Sequence, residues 1–220
     1  MIEQHPHDDL LLSYAAGTLA SGPSVVLAAH LEVCEHCLER LRLAKTLGGA
    51  LLDEIAPVPL DVDALARTLA AIDAPEGAGL PPAPPRPPLH RPPLPEGAAW
   101  PQSLQHCSAT PWRFIAPGMR WSRVSVPWDP AANVFLLRIG AGKSLPKHSH
   151  DGRELTQVLH GAFEDGRGVY RPGDFDEADP HVHHEPVVGP GGACICLTSV
   201  EGRMRFDGVV ARWFASLVGM

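Results

Sequence analysis

Apolar and polar positions follow two different rhythms along this chain, helical in the first third and strand-like in the second half. In "DDLLLSYAAGTL" the apolar residues bunch on one face, Asp8 or Asp9 stands where a helix cap belongs, and Gly17 marks a stop. "SGPSVVLAAHLEVCEHCLERLRLAKTLGGALLDEI" is rich in helix formers as far as Gly48 and Gly49, where the pattern predicts an end. "LDVDALARTLAAID" sets Val62, Leu65, Leu69 and Ile72 at helical spacing behind Asp61 as a cap, a stripe that suits a core or a partner-binding face. Downstream come short segments broken by Gly and Pro: "WSRVSVPW", "NVFLLRIGAG", "ELTQVLHGAFED", "GRGVYRPGDF", "ACICLTSVEG" and "MRFDGVV". Many short strands at close spacing predict an all-β sandwich or barrel.

Between the two textures, residues 75 to 101 hold 11 of the 24 prolines. Missing donors and fixed φ angles forbid helix there and discourage sheet, so the segment is expected to be a stiff linker holding two modules apart. The chain thus divides into an all-α domain over 1–74, a proline-rich linker over 75–101 and an all-β domain over 102–220.

Charge sharpens this division. Residues 1–74 carry 4 Lys and Arg against 11 Asp and Glu, whereas residues 75–220 carry 14 of each. All of the net charge of −7 therefore sits on the helical third. An acidic module repels nucleic acid and suits a basic protein partner, or is simply a solvated helical surface. No basic stripe supports nucleic-acid binding. No apolar run approaches the roughly 20 residues that span a bilayer, and "MIEQHPHDDL" lacks the basic end and apolar stretch of a signal peptide. A cytoplasmic location without membrane association is expected. Five cysteines without framework spacing point to metal binding or free thiols rather than disulfides.

"HLEVCEHC" concentrates metal-binding side chains. His30, Cys34 and Cys37 fall at i, i+4 and i+7, along one stripe of a helix. A straight helix would separate His30 from Cys37 by about 10.5 Å of rise, too far for ligands converging within bonds of about 2.0 to 2.3 Å. The helix should therefore break near Glu32 or Val33, with Cys34 and Cys37 presented by the turn and the first turn of the next helix, where the dipole favours thiolates. A tetrahedral structural zinc needs one more ligand, and His5 or His7 is available. The competing roles are two reduced core cysteines with a core histidine, and a redox dithiol, whose usual place after a strand is absent here. "YAAGTL" followed by "AAHLEVCEHC" resembles the zinc-binding anti-sigma domain, whose signature H-x-x-x-C-x-x-C is completed by an upstream histidine. In ChrR-type members that histidine lies nine positions before the tyrosine, which selects His5. The resemblance covers about residues 1–74 and implies a small helical bundle that grips a sigma factor.

A second constellation begins at Gly142. "GKSLPKHSHDGRELTQVLHG" places His148 and His150 two apart, hence on one face of a strand, and returns Glu154 to the same side. Its spacing is similar to the first cupin motif without a departure, and implies a jelly-roll barrel, the double-stranded β-helix, with a metal inside. A further histidine is expected after the Pro-Gly turn, where "RPGDFDEADPHVHHEP" offers His181, His183 and His184; resemblance to ChrR-type cupins favours His184, then His183. Three histidines and a glutamate accept several divalent ions, and the resemblance implies Zn2+. "EPVV" replaces the usual asparagine of the second motif, against oxygenase activity. Cys194 and Cys196 alternate with Ile195 and so share a face of one strand, either as buried free thiols or as oxidation candidates beside the metal. Cys107 has no partner by spacing.

Together the resemblances imply a two-module, non-enzymatic regulator. Residues 1–74 would bind and inhibit an extracytoplasmic function (ECF) sigma factor, and the cupin would release it on an oxidative signal, singlet oxygen or peroxide. The alternative is a cupin metal-dependent dioxygenase with a zinc-binding interaction module.

Overall fold

In the computed structural model the described residues are 1–74 and 89–206. Four helices come first: α1 (Asp8–Ala15), α2 (Ser21–Leu31), α3 (Glu35–Asp53) and α4 (Ala64–Asp73). Strands β1 (Ser108–Ala109), β2 (Arg113–Ala116), β3 (Met119–Ser125), β4 (Val134–Ile139), β5 (His148–His150) and β6 (Glu154–His160) follow. The rest are β7 (Phe163–Glu164), β8 (Val169–Tyr170), β9 (Phe175–Ala178), β10 (Val187–Val188), β11 (Cys194–Val200) and β12 (Met204–Phe206). Every pairing is antiparallel. One seven-stranded sheet runs β1-β3-β4-β11-β6-β9 with β2 flanking β3, and two small sheets, β10-β7-β8 and β12-β5, close the other side. Among the described residues, no helix is long and apolar enough to cross a membrane.

Several predicted ends shift by local chemistry. His7, not an aspartate, occupies the N-cap of α1; Asp8 and Asp9 lie in its first turn, where negative charge still meets the positive end of the helix dipole. Asp63 rather than Asp61 takes the N-cap position of α4, and both carboxylates engage Arg67 instead of capping, at 2.6 Å and 3.4 Å. Gly48 and Gly49 do not stop α3, which runs on to Asp53. Each glycine costs a helix only about 1 kcal/mol, and the flanking Leu and Ala residues continue it.

The large sheet is apolar on both faces because its strands alternate between two cores. On β4, Phe135 and Ile139 point into the barrel with Val158, Cys194 and Cys196, while Val134 and Leu136 point outward. On the outer face they meet α2, in which eight residues are buried, among them Val25, Val26, Leu27 and His30. A helix apolar all round cannot be covered by short neighbours alone, so it packs on α3 and the turn at residues 102–104 and also on β6 and β11 of the sheet. Gly22 lets its first turn approach: a Cβ there would collide with Ser199 Oγ and touch Val134.

The expectation of two modules held apart is therefore corrected. Leu10, Val26, Leu27, Cys37 and Leu41 share one continuous core with Leu136, Leu155, Phe175 and Leu197. Polar contacts reinforce it: the Glu32 carboxylate accepts from the backbone N–H groups of Gln102 (2.7 Å) and Ser103 (2.5 Å), and Arg153 reaches Asp9 (3.4 Å) and Glu177 (3.3 Å). Residues 75–88 of the proline-rich segment lie outside the described residues. From 89 on it packs against the β domain, with Arg91 donating to Leu104 O (2.9 Å), and Leu94 and Trp100 resting on the shared core.

Candidate metal centres

The break between α2 and α3 builds the first site. The N–H groups of Val33 and Cys34 both turn back to His30 O, at 3.1 and 3.0 Å, and end α2. Cys34 leaves helical geometry at φ −111° and ψ 97°, becomes the N-cap of α3, and its sulfur accepts from Cys37 N at 3.5 Å. His5 Nδ1 lies 3.4 Å from each sulfur. The ligand atoms of His5, His30, Cys34 and Cys37 are all within 4.8 Å of one another. His7 is exposed and falls instead in a surface group with Asp9 and Glu177.

The protonation states suit a cation. His30 is fully buried, and that burial lowers its pKa to about 4, so the ring is neutral at neutral pH. Its Nδ1 faces two acceptors, Gln157 Oε1 and Gly173 O, each at 3.0 Å, and donates its single proton there. That leaves a bare lone pair on Nε2, which is buried without a hydrogen-bond partner. Burial, with Cys34 beside it, pushes the Cys37 thiol up to about 12. A buried thiolate pair at this spot needs a cation, and two sulfurs with two imidazoles form the donor set of a tetrahedral structural zinc.

The second site lies inside the barrel. β5 presents His148 and His150 inward, β6 begins at Glu154, and a bridge between His148 and His184 brings in the last histidine. His148, His150, Glu154 and His184 are all buried, with ligand atoms within the same 4.8 Å limit. His181 and His183 are exposed and outside this group.

Here the geometry sets ring nitrogens face to face. His148 Nδ1 donates to Pro146 O (2.8 Å) and His184 Nδ1 faces Asp165 Oδ2 (3.3 Å); burial works to lower the His184 pKa, yet Asp165 and Glu154 raise it, and the Nε2 atoms of His148 and His184 approach each other to 3.1 Å. Such pairs repel unless a proton or metal cation lies between them. Glu154 Oε2 is 2.6 Å from His150 Nε2 but lacks hydrogen-bond alignment, as though both atoms faced a common centre. Burial works to raise the Glu154 carboxyl, yet His148 and His150 hold it well below the usual range. Arg167 clamps Asp165 (2.5 Å) and Asp176 (2.7 Å), fixing the carboxylate that orients His184. Beside these ligands a small cavity is lined by Leu137, Ile139, Phe163, Cys194 and Cys196. Both thiols do face the interior, their sulfurs 3.6 Å apart.

Gln157, Asp165 and Arg167 occupy no motif position. Gln157 lies 127 positions from His30, and nothing in the sequence pairs them. A glutamine amid apolar strand residues is the one hint that a buried partner awaits it.

Helical bundle, jelly roll and two clusters of His, Cys and Glu define a metal-binding regulator of the anti-sigma type built on a cupin. Residues 101–202 match the family model described as the ChrR cupin-like domain. The chain is 37% identical to the anti-sigma-E factor ChrR of Cereibacter sphaeroides over 206 residues, covering 94% of this chain and 93% of that one. It also resembles the solved structure of Rhodobacter sphaeroides SigE in complex with the anti-sigma ChrR, at 33% identity and a TM-score of 0.70, over 91% of this chain and 100% of that one. The chain belongs to the ChrR family of anti-sigma factors.

Proposed function

We propose that this protein binds an ECF sigma factor through residues 1–74, holds it inactive in the cytoplasm, and releases it when the cupin receives an oxidative signal, singlet oxygen or a peroxide. Zn2+ is the metal of both sites, held by His5, His30, Cys34 and Cys37 in the first and by His148, His150, Glu154 and His184 in the second. The observation that carries this reading is the likeness, over nearly the whole chain, to a ChrR solved in complex with SigE.

The surface supports it. α3 exposes Leu43, Leu47, Leu51 and Leu52, and α4 buries none of its residues, leaving Leu65, Leu69 and Ile72 in solvent. Apolar stripes on two helices of an acidic module suit a partner that covers them. When bound in the first site, zinc supplies a tetrahedral cross-link between the N-terminal segment, α2 and α3. The chain's own residues do the rest: α2 docks the bundle on the barrel, and the α2–α3 break fixes where both cysteines point.

The test is co-expression of the full chain with the ECF sigma factors of its host, followed by copurification and transcription from the matching promoter. Stoichiometric copurification with repression is expected, lost on Leu47→Asp. No sigma binding, together with oxygen-dependent turnover of a small substrate in the barrel cavity, would instead establish a cupin dioxygenase with a metal-binding interaction module.

A further inference from the structure

The β domain supplies the outer partners of the first metal centre. His30 donates to Gln157 Oε1 on β6 and to Gly173 O in the turn before β9. Gly173 has φ +96°, and a Cβ there would strike Ile2, so this carbonyl is aimed by a conformation that other residues resist. The ring edge of His30 also rests on Phe175, centroids 5.3 Å apart. His5 is held from the same side. Asp174, almost wholly buried, accepts from the N–H groups of Glu3 (2.7 Å) and Gln4 (3.1 Å), while Phe175 N donates to Gln4 O (3.0 Å). Both imidazoles of the helical site are thus positioned by the barrel, and only the two sulfurs belong to the helices alone.

The strands that do this also carry the second centre on their other face. β6 turns Gln157 outward to His30 and Glu154 inward, where Thr156 Oγ1 donates to Glu154 Oε1 (3.1 Å). β9 turns Phe175 outward and Asp176 inward, onto the Arg167 that clamps Asp165 against His184. β6 and β9 therefore separate the clusters: β6 bears Gln157 on one face and Glu154 on the other, and β9, which begins directly after Asp174, bears Phe175 on one face and Asp176 on the other.

We infer that Gln157 and Asp174 are positioning residues of the N-terminal metal centre, and that through β6 and β9 the two metal sites set each other's affinity. This rests on the metal ligands proposed above and not on sigma-factor binding. An outer partner of a metal-bound histidine fixes its tautomer and orientation, and its loss lowers affinity by about 10- to 100-fold. Coupling between sites is reciprocal: whatever factor metal in the barrel imposes on the helical site, the helical site returns.

Cobalt substitution in the full-length protein tests this, because a thiolate-to-cobalt charge-transfer band reports the helical site alone; the barrel ligands contain no sulfur. Competition against a chromophoric chelator gives the affinity of that band. Gln157→Ala is expected to weaken it about 10-fold or more, Asp174→Ala to weaken it less, and Gln157→Glu, which keeps an acceptor for His30, to stay near wild type. Glu154→Gln, which removes the one anionic ligand of the barrel site and lowers its metal occupancy, is expected to shift the same band about 5-fold or more. Circular dichroism identifies any variant that fails to fold, and Gln157→Glu against Gln157→Ala separates orientation from packing. A wild-type protein without the band overturns the ligand assignment and this inference together. A band that Gln157→Ala and Glu154→Gln leave within about two-fold overturns the inference alone and leaves sigma-factor binding standing.

Discussion

The two candidate metal centres are built in opposite ways. In the barrel, three of four ligands arrive within seven residues and the fourth crosses by one bridge; Glu154 opens β6, which is paired on both sides, and His148 and His150 lie on β5, paired with β12. In the helical site, the ligands come from a segment before α1, the end of α2 and the start of α3, and the barrel orients two of them. A barrel site is pre-organised before metal arrives, whereas the helical site needs the metal and the neighbouring domain to hold its parts. A regulator gains from that contrast, since the loosely assembled site is the one a signal can disturb.

The contrast can be broken most severely at the sulfurs. Cys37→Ser removes a ligand rather than an orienting partner, so it is expected to cost more than the about 100-fold ceiling of outer partners, abolishing helical-site metal and sigma-factor binding; retained metal and copurification by metal analysis would contradict this. Next comes the shared core. Leu27→Ala should destabilise by about 3 kcal/mol and move the helical and barrel transitions together in urea, because Leu27 is buried in the cluster common to both. If fluorescence and far-UV signals instead separate, the domains fold independently.

A milder change is expected from His148→Ala. Metal content should fall from two equivalents per chain to one, with the thiolate–cobalt band still present and release by oxidant blunted; a variant with two equivalents would place the barrel metal elsewhere. Smallest of all are His7→Ala and His183→Ala. Both side chains are exposed and outside the clusters, so stability should stay within about 0.5 kcal/mol and metal content unchanged. A lost equivalent in either variant would reassign a ligand.

Much of each site was legible because its constraint is local. That His30 and Cys37 cannot converge on an unbroken helix follows from rise per residue alone, and the chain turns at Glu32 and Val33 as that requires. Period-two spacing set His148 beside His150 for the same kind of reason. Ends of helices were less legible: Gly48 and Gly49 weaken α3 without ending it, and the acids near α4 found Arg67 in place of backbone N–H groups. The separation of the two modules was misjudged because proline content speaks to the linker's own backbone and not to the affinity of what it joins. α2 was the overlooked signal, a helix apolar on every side, which predicts a second surface to cover it.

By itself, then, the sequence determined the two textures, the acidic helical third, the broken helix and the metal-ligand spacings, because each depends on residues within a few turns of one another. Only the tertiary structure decided that His30 faces Gln157 and Gly173, that Asp174 straps the segment bearing His5, and that two strands carry both centres back to back. Those contacts span 127 to 171 positions. They exist because an all-apolar helix and an apolar sheet face are each driven out of water onto the other, and no local pattern records which residues then meet.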